Sequence, residues 1–120
     1  MATLPAQETI LRAWAVSPAF LVGRYVLMPD HLHFFCAPAV YPSEPLALWM
    51  AFWKSWAARH WPERGVKLWQ RDYWDTQSRV GESYSAKWEY VRANPMRAGL
   101  VPSAADWPFQ GEIHPLMWHD

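Results

Sequence analysis

Two histidines separated by one residue, His31 and His33, are the side chains of this sequence that most directly suggest chemistry. They follow a Met-Pro-Asp turn and open an apolar segment that is typical of a β-strand. Side chains alternate between the faces of a strand, so both imidazoles should point the same way, roughly 6–7 Å apart at ~3.3 Å per residue. Such a pair can share one metal ion. A His-x-His pair by itself is more often one buried structural histidine and one surface histidine, so the downstream sequence has to decide.

A tyrosine and an asparagine further along the chain supply a second set of candidate groups. Tyr90 lies in a predicted helix and Asn94 follows four residues later, a spacing that places two side chains on one side of a helix. Together with His31 and His33, the Asn94 amide oxygen would hold a hard divalent cation such as Mg²⁺ or Mn²⁺. The chemistry favoured is phosphoryl transfer, in which the Tyr90 phenol attacks a DNA phosphodiester.

Each of these two residues also has a structural interpretation. Tyr90 alone would more often be a helix tyrosine packed against the sheet, and Asn94 alone would more often end a helix before Pro95.

Composition limits the architecture and the compartment. The chain has 120 residues, of which 52% are apolar, without the uninterrupted run of about 18 apolar residues that a membrane span needs. We predict a single domain over residues 1–120, with a disordered lead-in at 1–7 and an irregular C-terminal tail at 102–120. No secretion signal is evident, and a single cysteine, Cys36, favours the reducing cytoplasm.

The charge balance is unusual for a protein that binds nucleic acid. Eleven basic and eleven acidic side chains give a net charge of zero, whereas phosphate binding usually leaves a basic excess. The basic residues are concentrated in the second half, however, and four of them are our candidates for DNA contacts: Arg71, Lys87, Arg92 and Arg97. Solvated surface positions would explain these residues almost as well.

Hydrophobic periodicity and helix-ending residues predict the elements that position these groups. The predicted elements are a helix at Glu8–Val16, strands at Phe20–Met28, His31–Ala37 and Val66–Gln70, and helices at Glu44–His60 and Glu82–Ala93. Ser43 should cap the second helix, and Asn94-Pro95 should end the third one, with Gly99 in the following turn. An apolar stripe on the second helix should face the core; its members are Leu46, Leu48, Trp49, Phe52, Trp53 and Trp56.

Three motifs in this order resemble the REP-associated tyrosine transposases, which belong to the single-tyrosine HUH transposase superfamily. The motifs are Tyr25–Phe35, Leu68–Asp75 and Tyr90–Val101, and the resemblance covers roughly residues 8 to 102.

The resemblance implies that His31, His33 and Asn94 bind Mg²⁺ or Mn²⁺ and that Tyr90 is the catalytic nucleophile. It implies an α+β fold, a ferredoxin-like α/β sandwich with an antiparallel sheet. It also implies cleavage and strand transfer through a 5′-phosphotyrosine at single-stranded DNA beside a short, REP-like hairpin. On this basis we expect a cytoplasmic, nucleoid-associated protein that is a monomer or a homodimer.

Two features depart from the family pattern. Relatives usually begin with an extra strand beside the His-x-His strand, whereas this chain enters almost directly at the first helix. Either the start codon is internal to a longer ancestral gene, or residues 1–7 or the tail substitute for that strand. The net charge is neutral as well. A truncated or domesticated relative that binds DNA hairpins without cleaving them is therefore the alternative, and a small metal-binding protein with no nucleic-acid role is a third.

Overall fold

The protein combines helices with one antiparallel sheet. Its computed structural model describes residues 3–29, 31–40, 42–62 and 84–116. The elements are α1 (Leu4–Ala15), β1 (Phe20–Leu27), β2 (Leu32–Pro38), α2 (Leu46–Arg59), α3 (Tyr84–Arg92), α4 (Asn94–Arg97), a 3₁₀ turn (Ala104–Asp106) and β3 (Gln110–Glu112). The predicted α+β class with an antiparallel sheet is confirmed. The predicted strand Val66–Gln70 and the candidate Arg71 lie outside the described residues.

The sheet has the strand order β2-β1-β3, with both neighbours antiparallel to β1. A β-bulge interrupts the β1–β2 pairing, because Val22 pairs with Cys36 and Tyr25 with Phe34, so that β1 has one residue more than β2 between these pairs. The extra residue keeps Val22 and Tyr25 in the same buried cluster although they are three positions apart. Val26, opposite His33, consequently faces the other side of the sheet.

Helices α1 and α2 cover one face of the sheet. Trp14 of α1 and Trp53 of α2 contact each other edge to face, with ring centroids 5.6 Å apart, and Phe34 of β2 packs against both rings. Trp49 is 1% exposed and donates its indole N–H to the Ser17 carbonyl at 2.8 Å. Large aromatic surfaces buried in one layer account for much of the stability of this half of the protein.

The second helix differs from the prediction in its start and in its buried side. It begins at Leu46 rather than Glu44, and its N-cap is Pro45, with no side-chain hydrogen bond, so the predicted Ser43 cap is wrong. Leu48 and Phe52 are 60% and 53% exposed, although the apolar stripe predicted them in the core. The buried residues of the helix are Trp49, Met50, Trp53 and Ala57, and the rings of Trp49 and Trp53 pack against Phe34 of β2. A residue one position earlier points about 100° away around the helix, so Leu48 and Phe52 miss the sheet.

The predicted lead-in at residues 1–7 is too long, because α1 already begins at Leu4. Thr3 is the N-cap, and its hydroxyl accepts a hydrogen bond from the Ala6 N–H at 3.2 Å. Pro5 fits the first turn, where no helical hydrogen bond needs its missing N–H.

The C-terminal tail, predicted to be irregular, contributes β3 and a buried tryptophan. Trp107 is 9% exposed and donates its indole N–H to the Leu27 carbonyl at 3.0 Å. The tail therefore adds a strand to the sheet, but beside β1 and on the side away from β2. Within the described ranges, no strand pairs with the outer edge of β2, and α1 is the first element of the chain. No helix in these ranges is both long enough and apolar enough to cross a membrane.

Candidate metal and tyrosine site

The two histidines lie on the face of the sheet that α1 and α2 leave uncovered. Leu32 and Phe34, the neighbours of His33, pack into the α1–α2 cluster, so His33 projects to the opposite side. The His31 ring joins it there, with centroids 4.7 Å apart and planes at 85°. His31 stands one residue before β2, and its carbonyl accepts the Met28 N–H at 2.8 Å, which closes the turn between the strands. The same-side arrangement that strand alternation predicted is therefore present.

The environment of His33 favours its neutral form. His33 is half-buried, and desolvation is the largest cause that lowers the pKa of its imidazole below the usual value. The neighbouring His31 and the positive charge of Arg97 lower this pKa further. A neutral imidazole has a free nitrogen lone pair, which is the form that binds a metal ion.

Helix α3 lies on the same face as the histidines. Its Trp88 contacts Phe35 of β2 edge to face, with ring centroids 6.5 Å apart. Trp88 and Val91 also pack against the small buried cluster that contains Val26 and Trp107. Trp88 is therefore a packing residue, and it fixes the helix that carries Tyr90 on the histidine side of the sheet.

Tyr90 is 70% exposed on α3, so the phenol is accessible and does not belong to the core. The helix is interrupted at Ala93 and resumes as the short segment α4, which begins at Asn94. The prediction that the helix ends just before Asn94-Pro95 is therefore confirmed, since α3 ends at Arg92, but the short helix α4 that follows was not predicted. Pro95 is buried in the first turn of α4, where a proline is compatible with helical geometry.

Gly99 ends α4 in a left-handed conformation with φ of +76°. The Leu100 N–H donates to the Pro95 carbonyl at 2.9 Å and the Gly99 N–H to the Met96 carbonyl at 3.0 Å. These two bonds form a Schellman motif, so the predicted turn role of Gly99 is confirmed. With Pro95 buried at one end and Gly99 at the other, the backbone between Asn94 and Arg97 is well fixed.

Arg97 connects the predicted site residues. Its guanidinium carbon lies 4.2 Å from the centroid of the Tyr90 ring, and its Nη2 donates to Oδ1 of Asn94. Its charge also acts on His33. The sequence predicted Arg97 only as a DNA contact. The three-residue spacing from Asn94 to Arg97 is the signal for their contact, since residues three positions apart share one side of a helix.

The remaining candidate cations are less closely tied to this site. Arg92 lies 3.3 Å from the Glu89 carboxylate, one turn back along α3. Lys87 is half-buried on the same helix. Arg71 lies outside the described residues.

The donor set at this place suits a hard divalent cation only if an amide oxygen takes part. Among the described residues, no group of three His, Cys, Asp or Glu side chains could hold a metal ion. His31 and His33 supply two imidazole nitrogens on adjoining rings, and Asn94 supplies an oxygen that Arg97 currently engages. Two nitrogens and one oxygen, completed by water or phosphate oxygens, fit Mn²⁺ and Mg²⁺.

Comparison with known proteins points to one family. A protein of Escherichia coli (strain K12) named REP-associated tyrosine transposase is 25% identical over 91 residues, which cover 75% of this chain and 53% of that protein. A protein of Haemophilus influenzae, to which the same name is provisionally given, is 24% identical over 111 residues, covering 77% of this chain and 62% of its own length.

The chain thus spans between half and two thirds of the length of these curated relatives. No family model and no solved structure matches it. The similarity agrees with the resemblance seen in the three motifs, and two proteins that carry the name REP-associated tyrosine transposase are similar to this chain.

Proposed function

We propose that this protein, which is similar to REP-associated tyrosine transposases, cleaves single-stranded DNA beside hairpins and transfers the cut strand through a 5′-phosphotyrosine intermediate. The observation that carries the proposal is the packing of α3, the helix that contains Tyr90, through Trp88 on the face of the sheet that bears the His31–His33 pair. The names of the two similar proteins support a role in transposition.

In this proposal, His31, His33 and the Asn94 amide oxygen would hold Mg²⁺ or Mn²⁺, which would supply Lewis acidity toward the phosphate. Burial and neighbouring charge keep the His33 imidazole neutral and ready to donate its lone pair.

Tyr90 is the proposed nucleophile. Its phenol oxygen forms a bond to phosphorus, the bond from phosphorus to the 3′ oxygen breaks, the phenolic proton passes to water, and the 3′ oxygen takes up a proton. Strand transfer reverses the step with the 3′-hydroxyl of another strand. The exposure of the phenol lets a DNA strand reach it without rearrangement of the core.

The cations of α3 and α4 would bind the phosphates on either side of the scissile bond. Lys87, Arg92 and Arg97 lie on the two helices that carry Tyr90 and Asn94, and a fixed positive charge there stabilises negative charge that develops at the phosphate. Because the net charge of the chain is zero, we expect binding to depend on this local cluster and to weaken steeply with salt.

The test is a search for a covalent adduct. The protein is incubated with 3′-end-labelled single-stranded hairpin DNA and Mn²⁺ and then run on a denaturing gel, since the strand on the 3′ side of the cut stays attached to Tyr90. We expect a labelled protein band that disappears with EDTA, in Tyr90→Phe and in His31→Ala, and that persists in His60→Ala, which changes an exposed histidine at the end of α2.

The attachment site can be read directly. Trypsin cleavage after Lys87 and Arg92 releases residues 88–92, a peptide whose single tyrosine is Tyr90. A nucleotide adduct on another peptide would overturn the role of Tyr90. Tight hairpin binding without any adduct would instead favour the alternative function, a protein that recognises hairpins but no longer cuts them.

A further inference from the structure

We propose that Arg97 blocks metal binding at the candidate site in the DNA-free protein. Its guanidinium occupies the amide oxygen of Asn94, which the metal needs as a ligand. The inference rests on the proposed function in one respect, since it takes Asn94 as an oxygen ligand. It adds a role for Arg97 as a positioning residue: the guanidinium must leave Asn94 before a divalent cation can bind there.

The contacts of Arg97 are those of a competitor for the metal. Its Nη2 donates to the same Asn94 oxygen that would coordinate the cation, and its charge acts on His33, another proposed ligand. A divalent cation shared by these groups would lie beside the guanidinium, and the two positive charges would repel each other. Metal and guanidinium therefore exclude each other at Asn94.

The backbone ensures that Arg97 returns to this position. Buried Pro95 and the Schellman turn at Gly99 fix α4, and the three-residue spacing holds Arg97 next to Asn94. Only the side chain is free to change its direction, because Arg97 is exposed. Movement of this one side chain opens the site without any change of fold.

A DNA phosphate is a better partner for the guanidinium than a neutral amide oxygen. Arginine binds phosphate oxygens in a charge-assisted, often bidentate manner, whereas its contact with an exposed tyrosine ring is weak. A phosphate that draws Arg97 away would release Asn94 and the face of the Tyr90 ring together. Arg97 would thus make metal binding and DNA binding favour each other.

The inference is tested by Mn²⁺ binding without DNA, followed as the loss of the free Mn²⁺ signal in electron paramagnetic resonance. We expect Arg97→Ala to bind Mn²⁺ about tenfold more tightly than the wild-type chain, the size expected when one charge-assisted competitor is removed. Arg97→Lys, which keeps the charge but loses the planar donor group, should lie between the two. The control is Arg12→Ala, which removes an equal charge from the exposed side of α1 and should leave the affinity unchanged.

The route through Asn94 is tested by a double substitution. If Arg97 acts by occupying this oxygen, Arg97→Ala should give no gain in an Asn94→Ala background. A gain of equal size in that background would overturn competition at Asn94, and so would an equal gain in Arg12→Ala. Unchanged, weaker or undetectable Mn²⁺ binding by Arg97→Ala would overturn the inference as a whole, provided that thermal melting shows this exposed variant to be folded.

These results are separable from the proposed nuclease activity. A wild-type chain that forms the adduct while Arg97→Ala binds Mn²⁺ no more tightly would overturn only the role of Arg97. An Arg97→Ala chain that binds more tightly, in a protein that never forms an adduct, would overturn only the nuclease.

Discussion

The guanidinium of Arg97 covers the ring of Tyr90, with its central carbon 4.2 Å from the ring centroid, while the same group donates to Asn94. Tyr90 belongs to α3, and Asn94 and Arg97 belong to α4. Their contacts therefore require that the break at Ala93 and the turn at Gly99 hold the two helices in a fixed relative orientation. A single exposed cation therefore connects the proposed nucleophile to a proposed metal ligand. The following predictions test this arrangement and the packing that supports it.

We expect Tyr90→Phe to abolish the DNA adduct and to change the free energy of unfolding by less than about 0.5 kcal/mol, because the hydroxyl lies on an exposed ring. Tyr25→Phe is the matched variant. The Tyr25 ring is 5% exposed and its hydroxyl accepts the Gln7 amide at 2.8 Å, so its loss should destabilise the fold by about 1 kcal/mol. Urea unfolding measures both, and a Tyr90→Phe protein as destabilised as Tyr25→Phe would show that the phenol is structural.

The lowered pKa of His33 predicts that the free energy of unfolding depends on pH when a metal chelator is present in the buffer. The unfolded chain takes up a proton near pH 6.5, whereas folded His33 stays neutral to a lower pH. The free energy of unfolding should therefore be highest above about pH 6.5 and fall as the pH drops through the lowered folded pKa. Urea unfolding between pH 5 and 7.5 should give a shallower decline for His33→Gln than for the wild-type chain. His60→Gln should follow the wild type, and an unchanged slope in His33→Gln would refute the assignment.

Gly99 should resist substitution because of its backbone alone. A Cβ at this position would meet nothing within 4 Å, but its φ of +76° disfavours residues with side chains. We expect Gly99→Val to lower the free energy of unfolding by about 1–2 kcal/mol, and Gly99→Asn by less. The control is Ala98→Val, one residue earlier with an ordinary helical φ of −79°, which should cost no more than about 0.7 kcal/mol. Equal losses in the two valine variants would mean that the conformation of Gly99 is unimportant.

Trp107 should hold the tail against the end of β1. Trp107→Phe leaves the buried Leu27 carbonyl without the indole donor that now lies 3.0 Å away, and a loss of this kind costs about 1–3 kcal/mol. Leu27 directly precedes the turn to His31, so the substitution should also broaden the His31 and His33 ring signals in nuclear magnetic resonance spectra. Trp56→Phe, at a half-buried position stacked on His60, is the comparison and should leave both ring signals sharp. Sharp His31 and His33 signals in Trp107→Phe would show that the packing of the tail does not affect the histidine site.

Several features of the fold and of the candidate site could be predicted from neighbouring residues in the sequence. Strand alternation placed His31 and His33 on one face, and the absence of a side chain at Gly99 marked the turn after α4. The antiparallel pairing of β1 with β2 followed from two apolar segments joined by a tight turn. These features depend on periods and conformational preferences of neighbouring residues, which a sequence displays directly.

The tertiary structure decided the rest, because the choice of partners is made by packing over long distances. Whether Leu48 or Trp49 faces the sheet depends on how α2 rotates to bury its indoles, and both alternatives have helical spacing. The strand in the tail forms because β1 has a free edge for Gln110–Glu112. Arg97 could be placed over Tyr90 only after Pro95 was seen to start a second short helix directly after α3, because the sequence did not show how two successive helices are oriented.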